Sequence, residues 1–277
     1  MNRIVAREVL APNIKMLEVE APEVARKARA GQFIILRVDD GGERIPLTVF
    51  DVDRERGTVK IVFLEVGTST RKLGRVAVNE KVRNFVGPLG KPSEIKKFGQ
   101  VVCISGGIGA PAIYPIAKAL REAGNRVISI VGARTANLLI LEDEIRRVSD
   151  EVYLTTDDGS KGQKGLVTNV LRQLIDGGVH IDRVIAVGPA VMMKAVSDLT
   201  RVHKIETVVS LNPIMVDGTG MCGCCRVTVG GKTKFACVDG PEFNGHEVDF
   251  DNLISRLKSY QREERQSMEL FQRRCGG

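Results

Sequence analysis

Over residues 1–98, apolar and polar positions alternate in short runs that are separated by glycine, proline and aspartate. Such runs predict β-strands at residues 4–10, 14–19, 32–38, 48–52 and 59–65. Short strands at this spacing are typical of a small antiparallel β-barrel. We therefore assign residues 1–98 to a barrel domain.

From residue 99 onward, apolar runs alternate with amphipathic ones. Strands are predicted at 101–105, 127–132, 152–155, 184–187 and 208–211, and helices at 111–122, 139–148, 165–175 and 190–199. This alternation predicts a parallel sheet covered by helices, and we assign it to an α/β domain over 99–209. A cysteine-rich subdomain follows over 210–249. The remaining segment, 250–277, is predicted to hold one helix over 250–271 with an apolar stripe at Leu253, Leu257 and Tyr260.

Composition narrows the class of protein. Hydrophobic residues make up 43% and charged residues 27%, as in ordinary globular proteins, and the longest apolar runs are too short to cross a bilayer. The first residues do not resemble a signal peptide, so we expect a cytoplasmic protein that does not enter a membrane. The net charge of +7 is spread along the chain and aromatic residues make up 4%. This pattern argues against nucleic-acid binding, and dinucleotide phosphates are sufficient acidic partners.

Four of the six cysteines fall in one short stretch, Cys222, Cys224, Cys225 and Cys237. In a reducing compartment such a cluster indicates metal ligation. The last of them returns across a predicted hairpin of residues 226–229 and 232–236. On ligand types alone, an iron-sulfur cluster and a structural zinc site are equally compatible. Cys103 and Cys275 are interpreted as a packing residue and a tail residue.

The segment Met215-Val-Asp217-Gly-Thr-Gly-Met-Cys222-Gly-Cys-Cys225 resembles the cluster loop of the electron-transfer subunit of dihydroorotate dehydrogenase, where Cys-x4-Cys-x2-Cys and a later Cys hold a [2Fe-2S] cluster. Asp217 stands at the place of the first cysteine. In this respect the chain is similar to the small subunit of NADH-dependent reduced ferredoxin:NADP oxidoreductase (sulfide dehydrogenase type), where an aspartate joins three cysteines. The resemblance implies a [2Fe-2S] cluster on Asp217, Cys222, Cys225 and Cys237, with Cys224 as a neighbour.

Glycine-rich or polar turns follow four successive predicted strands of the α/β domain: Ser105-Gly-Gly-Ile-Gly109, Gly132-Ala-Arg134-Thr, Thr156-Asp157-Asp158-Gly159-Ser160 and Val187-Gly188-Pro189. Each turn alone is commonly structural, but together they mark the sheet edge where such domains bind ligands. They resemble the dinucleotide site of the ferredoxin reductase superfamily. The resemblance implies NAD(H) at these residues: Gly106, Gly107, Ile108, Gly109, Arg134, Asp157, Asp158, Gly188, Pro189 and Met192. NADP(H) stays an alternative, since Arg134 suits a 2′-phosphate whereas Glu142 and Asp143 oppose one.

Two segments of the barrel, Glu43-Arg44-Ile-Pro46-Leu47-Thr48 and Gly67-Thr-Ser69-Thr70, resemble the flavin-binding strand and phosphate clasp of the same superfamily. The resemblance implies FAD bound by these residues: Arg44, Pro46, Leu47, Thr48, Phe63, Leu64, Gly67, Ser69 and Thr70, with Thr48 near the flavin N5. Arg44 stands four residues before the hydroxyl, one more than in plant-type reductases. Gly87-Pro-Leu-Gly90 resembles the turn that closes the flavin barrel.

The family implies an oxidoreductase subunit in which flavin converts hydride pairs into single electrons for the cluster. No nucleophile or base set is readable, since His180, His203 and His246 stand apart. The resemblance implies a heterodimer with a larger subunit that carries FAD and [4Fe-4S] clusters and couples NAD(H), NADP(H) and ferredoxin by electron bifurcation. Two alternatives are a dihydroorotate dehydrogenase partner, which Asp217 disfavours, and a zinc-stabilised nucleotide-binding module without redox function.

Overall fold

The computed structural model describes residues 2–275, without the side chains of the last two. Its N-terminal part consists of two antiparallel sheets with the strand orders β1-β2-β6-β5 and β4-β3-β7, accompanied by two short helices. The elements are β1 (Ile4–Ala11), β2 (Ile14–Glu20), α1 (Pro22–Lys27), β3 (Phe33–Arg37), β4 (Arg44–Thr48), β5 (Asp51–Asp53), β6 (Thr58–Leu64), α2 (Thr68–Leu73) and β7 (Asn84–Leu89). The two sheets enclose one apolar core, which includes Leu17, Leu36, Phe63 and Leu73. The predicted antiparallel barrel is confirmed.

The chain crosses from one barrel sheet to the other between Val49 and Phe50. The amide of Val49 donates to the carbonyl of Gln32 at 3.1 Å, whereas the amide of Phe50 donates to the carbonyl of Lys60 at 2.9 Å. The single strand predicted over 48–52 is therefore wrong, because a strand cannot pair in two sheets without a break.

The middle of the chain forms a seven-stranded sheet with the order β11-β10-β9-β8-β12-β13-β16, parallel except for β16. Its strands are β8 (Gln100–Gly106), β9 (Arg126–Ala133), β10 (Glu151–Thr156), β11 (Gln163–Lys164), β12 (Arg183–Val187) and β13 (Glu206–Ser210). Its helices are α3 (Ala110–Glu122), α4 (Glu142–Arg147), α5 (Val167–Asp176) and α6 (Ala190–Val202). The predicted α/β fold is confirmed, and Cys103 is buried in β8 as expected. The helix predicted over 139–148 begins later, because Leu141 takes a left-handed conformation with φ of 59°.

Beyond β13 a long loop leads to a hairpin, an edge strand and two helices: β14 (Arg226–Val229), β15 (Lys232–Phe235), β16 (Glu242–Asn244), α7 (Phe250–Leu257) and α8 (Gln261–Cys275). The single helix predicted over 250–271 is therefore wrong. Leu253 and Leu257 pack on the core, but Tyr260 lies in the break and is 54% exposed. The side chain of Cys275 is outside the part of the chain that the structure describes, so the interpretation of Cys275 as a tail residue stays a prediction.

The sequence analysis did not predict α1, α2, β7 or β16. Gly87-Pro-Leu-Gly90, interpreted as a turn, lies largely within β7, where Val86 pairs with Ile35 of β3 and the Gly87–Pro88 peptide bond is cis. Among the described residues, no helix combines the length and apolar character needed to span a bilayer.

One apolar core joins the three parts of the molecule. Phe33 and Ile35 of the barrel belong to the same buried cluster as Ile104 of β8, Cys225 and Cys237. The barrel strand β3 thus contributes to two cores, because alternate residues of a strand face opposite sides. The domain boundaries predicted above stay predictions, since the packing across them is continuous.

We predict that Phe33→Ala lowers the free energy of unfolding by about 3–5 kcal/mol, because the change leaves a cavity where barrel and sheet meet. Thermal or urea unfolding of the purified chain measures this. The matched control is Val202→Ala, whose side chain is 79% exposed; its effect should stay within about 0.5 kcal/mol. Equal small effects of both changes would contradict a shared core.

Candidate functional site

The loop between β13 and β14 carries three of the four predicted cluster ligands, while Cys237 follows β15, and this loop lies against the barrel. Gly218 and Gly220 have φ of +81° and +89°, a conformation that favours glycine. A Cβ on Gly218 would stand 2.6 Å from Cγ1 of Ile35, and one on Gly220 would stand 3.1 Å from Val238. The glycines therefore allow the loop backbone to touch β3 on one side and the hairpin on the other.

Cys225 and Cys237 are buried side by side. Their Sγ atoms are 3.2 Å apart, and Cys225 Sγ accepts a hydrogen bond from the amide of Cys237 at 3.5 Å. Burial raises the pKa of the Cys237 thiol to about 12. Such a thiol becomes a thiolate at neutral pH only beside a strong positive charge, which a metal centre supplies.

Hydrogen bonds within a turn stabilise the anionic form of the Asp217 side chain. Its Oδ2 accepts hydrogen bonds from Thr219 Oγ1 at 2.6 Å, from the Thr219 amide at 2.9 Å and from the Met221 amide at 3.2 Å. These bonds, with a smaller contribution from the Arg44 guanidinium, hold the pKa of Asp217 below its usual range. The amide of Cys224 likewise lowers the pKa of the exposed Cys222 thiol. Both groups are thus prepared to carry negative charge.

The predicted ligands form two pairs, Cys225 with Cys237, and Cys222 with the nearby Asp217. Within residues 2–275, no group of three or more Cys, His, Asp or Glu side chains is close enough to hold a metal ion. The assignment of all four ligands to one cluster therefore stays a prediction. The donor chemistry fits it, because three thiols and one carboxylate lie on a single loop and hairpin.

Strand β4 presents the predicted flavin residues with a period of two. Ile45 and Leu47 pair with Leu36 and Ile34 and pack on the barrel core, so Arg44, Pro46 and Thr48 face the other side. Arg44 thus shares a face with Thr48 because it stands an even number of residues before it. Phe63 turns its side chain into the barrel core, so a cofactor can meet only its backbone, whereas Leu47 packs on this core and stays partly exposed.

The second predicted flavin segment forms the start of α2. Thr70 Oγ1 bonds to the amide and carbonyl of Gly67 at 3.1 Å, and Ser69 Oγ donates to Glu43 Oε2 at 2.8 Å. The next residue, Arg71, has a buried Nε without a hydrogen-bond partner among the described residues. Sequence reasoning missed Arg71, although a cation beside a phosphate clasp is a readable feature.

The glycine-rich turns after β8 and β12 meet at the point where the strand order reverses. A Cβ on Gly109 would stand 2.1 Å from the carbonyl oxygen of Val187, and one on Gly106 would stand 2.5 Å from Sδ of Met192. Pro189 directly precedes α6, the helix that carries Met192. A Cβ on Gly188 would stand 2.9 Å from Cε of Met192. Such a crevice is where doubly wound sheets bind dinucleotides.

Two residues at this crevice, Gly107 and Ile108, are open toward a ligand. Gly107 has φ of +54° and nothing within 4 Å of its Cβ position, and Ile108 is 37% exposed. Ser105, the residue before the last of β8, has a fully buried hydroxyl without a hydrogen-bond partner among the described residues. An orphaned buried hydroxyl at this place fits a polar cofactor.

The turns after β9 and β10 are bonded to each other. The amides of Asp157 and Asp158 donate to the carbonyls of Ala133 and Arg134, at 3.1 and 3.3 Å. Ser160 donates to Asp158 Oδ1 at 2.6 Å through its hydroxyl and also through its amide, which lowers the pKa of Asp158. The structure thus brings the predicted nucleotide residues of four strands to one edge of the sheet.

Glu142, which was expected to oppose a 2′-phosphate, is paired with two cations. It lies 2.5 Å from Lys161 and 2.9 Å from Arg146, and the bond to Lys161 is the main cause that lowers the pKa of Glu142. Its charge is therefore largely compensated within the chain. Lys161 was not predicted from the sequence.

Comparison with known proteins agrees with this arrangement. Residues 212–249 match the family described as the iron-sulfur cluster binding domain of dihydroorotate dehydrogenase B. A Thermotoga maritima protein named as a homologue of the dihydroorotate dehydrogenase B (NAD(+)) electron transfer subunit is 47% identical over 276 residues, covering 100% of this chain and 97% of that protein. The electron transfer subunit of this enzyme from Clostridium perfringens is 32% identical over 225 residues, which cover 81% of this chain and 88% of that one.

Among solved structures, a chain from the structure of NADH-dependent reduced ferredoxin-NADP oxidoreductase, a study of flavin-based electron bifurcation, superposes with a TM-score of 0.93. It is 46% identical, and the match covers 98% of both chains. Phthalate dioxygenase reductase, at 17% identity and a TM-score of 0.58, shares the fold alone, over 82% of this chain and 85% of that one. This chain belongs to the family of dihydroorotate dehydrogenase B electron-transfer subunits and their homologues.

Proposed function

We propose that this chain is the electron-transfer subunit of a flavin-dependent oxidoreductase, with FAD on the barrel, NAD(H) on the α/β domain and a [2Fe-2S] cluster on the loop and hairpin of the subdomain over residues 210–249. The observation that carries the proposal is the contact of this loop with the barrel. Gly218 touches Ile35, and Ile35 is the cross-strand partner of Pro46 on the proposed flavin strand. Asp217, the first predicted cluster ligand, therefore directly precedes the glycine that contacts the sheet of the proposed flavin strand.

When bound, flavin exchanges a hydride with nicotinamide and single electrons with a cluster, so it supplies the conversion between the two. The chain's own residues would bind the cofactors and orient them. Arg44 and Arg71 would offset the charge of a pyrophosphate, and Thr48, on the Arg44 face, would hydrogen-bond the flavin edge. No side chain of the site needs to act as a nucleophile or a general base.

For the cluster, Asp217, Cys222, Cys225 and Cys237 would be the ligands. Cys225 and Cys237 lie in the apolar core, which excludes water from one side, while Asp217 and Cys222 lie nearer the surface. Backbone amides that already bond Asp217 and the cysteine sulfurs would stabilise the anionic ligands.

For the coenzyme, we propose NAD(H), with NADP(H) as the alternative. Pairing of Glu142 with Lys161 and Arg146 removes one argument against a 2′-phosphate, while Arg134 remains beside the site after β9. Steady-state reduction of the flavin by NADH and by NADPH separates the two coenzymes.

For the partner, we propose a larger subunit that carries FAD and [4Fe-4S] clusters and reacts with ferredoxin, as in the electron-bifurcating oxidoreductase. A chain of that enzyme is 46% identical over 98% of this chain, whereas the C. perfringens subunit is 32% identical. Asp217 at the place of a cysteine also favours this partner over a dihydroorotate dehydrogenase.

Co-purification from the native host tests the proposed partner. We expect the tagged chain to bring down one larger iron-sulfur flavoprotein in equal amount, and the complex to couple NAD(H), NADP(H) and ferredoxin. Recovery of a dihydroorotate-oxidising subunit would support the alternative partner, and a chain that contains zinc and no flavin would contradict the proposed function.

We predict that Cys237→Ser abolishes the iron content of the purified chain, because a buried thiolate ligand is lost. The matched control is Cys224→Ser, which changes a neighbouring cysteine that is not an assigned ligand. Iron and acid-labile sulfide per chain are the measurements. Equal iron in the Cys237 variant and the unchanged protein would refute the ligand assignment.

We predict that Gly109→Ala weakens NADH binding at least about tenfold while FAD content is retained. The added Cβ would stand 2.1 Å from the backbone oxygen of Val187, so the turn after β8 must move. Flavin reduction at varied NADH concentration measures the effect. Gly41→Ala is the control, since its Cβ would meet no atom closer than 3.7 Å; an unchanged Gly109 variant would refute the site.

A further inference from the structure

The C-terminal helices connect the cluster loop with the proposed flavin segment. Helix α7 is anchored in the shared core by Phe250 and Leu253, and Arg256 donates to the carbonyl of Cys224 at 3.1 Å. Helix α8 then crosses to the barrel and contacts α2. This helix was the part of the chain that the sequence analysis left without a role.

Two side-chain contacts attach α8 to α2 and to the residues that directly follow α2. The hydroxyls of Thr68 and Ser267 lie 3.0 Å apart. The Arg75 guanidinium stands 4.8 Å from the centre of the Phe271 ring, which is a cation–π contact. Phe271 is 8% exposed, whereas its neighbour Leu270 is 53% exposed. On α8, Phe271 is therefore the apolar anchor.

Helix α2 is too short to be stable without such contacts. It has six residues, and an isolated helix of that length does not persist in water. Its inner side is fixed by Leu73 in the barrel core and by Lys15, which donates to the carbonyl of Gly74 at 2.9 Å. On another side it contacts α8.

We propose that α8 is an intramolecular strap that holds the α2 segment, residues 67–73, in the conformation that binds FAD. The inference rests on the proposed function, because it takes Gly67, Ser69 and Thr70 as part of the FAD site. The apparent affinity for a ligand decreases when a smaller fraction of the protein is in the binding-competent conformation. A binding segment that is already held in its bound conformation therefore gives a higher affinity for the ligand. Phe271 and Ser267 act as positioning residues that need not touch FAD.

The experiment measures FAD binding to the apoprotein by quenching of flavin fluorescence. Phe271→Ala should raise the FAD dissociation constant of the full chain about tenfold. Leu270→Ala, on the exposed side of the same helix, should leave it unchanged. Phe271→Leu, which keeps an apolar contact, should restore most of the affinity.

A second variant and a second measurement keep the test decisive. Ser267→Ala removes only a hydroxyl contact and should raise the dissociation constant about threefold. Iron content, which depends on the distant cysteine loop, should stay unchanged in every variant and shows that the chain is folded. If Phe271→Ala misfolds and loses iron, an unchanged FAD affinity of Ser267→Ala overturns the proposal.

The proposal and the proposed function fail differently. If the unchanged chain binds FAD and both Phe271→Ala and Ser267→Ala bind it equally tightly, the strap is refuted while the function stands. If the unchanged apoprotein does not bind FAD, the proposed function is refuted and the strap with it.

Discussion

The molecule depends on one close-packed core that its three parts share. Phe33 and Ile35 from the barrel, Ile104 from the central sheet, and Cys225 and Cys237 from the cysteine-rich subdomain belong to it. Protein interiors are packed as densely as organic crystals and do not deform continuously. The proposed flavin strand, the proposed nucleotide edge and the proposed cluster loop are therefore held at fixed relative positions, which suits electron transfer between bound groups better than a flexible linkage between domains would.

The period of two in β-strands explains how β3 and β4 serve this core. Ile34 and Leu36 face the barrel interior, while Ile35 and Phe33 face the shared core. Strand β4 follows the same alternation, so Arg44 is on the face of Thr48 although its spacing differs from that of plant-type reductases. A basic residue at position 45, which pairs with Leu36, would face the barrel core instead.

Local patterns predicted most of the fold and the places of the candidate site, because strand alternation and glycine-rich turns are properties of neighbouring residues. Features that depend on distant contacts were missed. Strand β7 contains Gly87 and Pro88, which normally mark turns, and only its pairing with β3 makes it a strand. Helix α2 contacts α8, and Phe271 of α8 lies over Arg75, which is far away in sequence. Arg71 becomes conspicuous only through its buried, unpartnered Nε.

The central claim is that one chain holds flavin and an iron-sulfur cluster within electron-transfer reach of each other. Anaerobic addition of NADH to the purified chain, followed by absorption and electron paramagnetic resonance spectroscopy, tests it most directly. The account predicts bleaching of the flavin band together with a paramagnetic signal from a reduced cluster. A colourless chain with stoichiometric zinc, or a flavin that is reduced while the cluster stays oxidised even with excess NADH and a stronger chemical reductant, would contradict it.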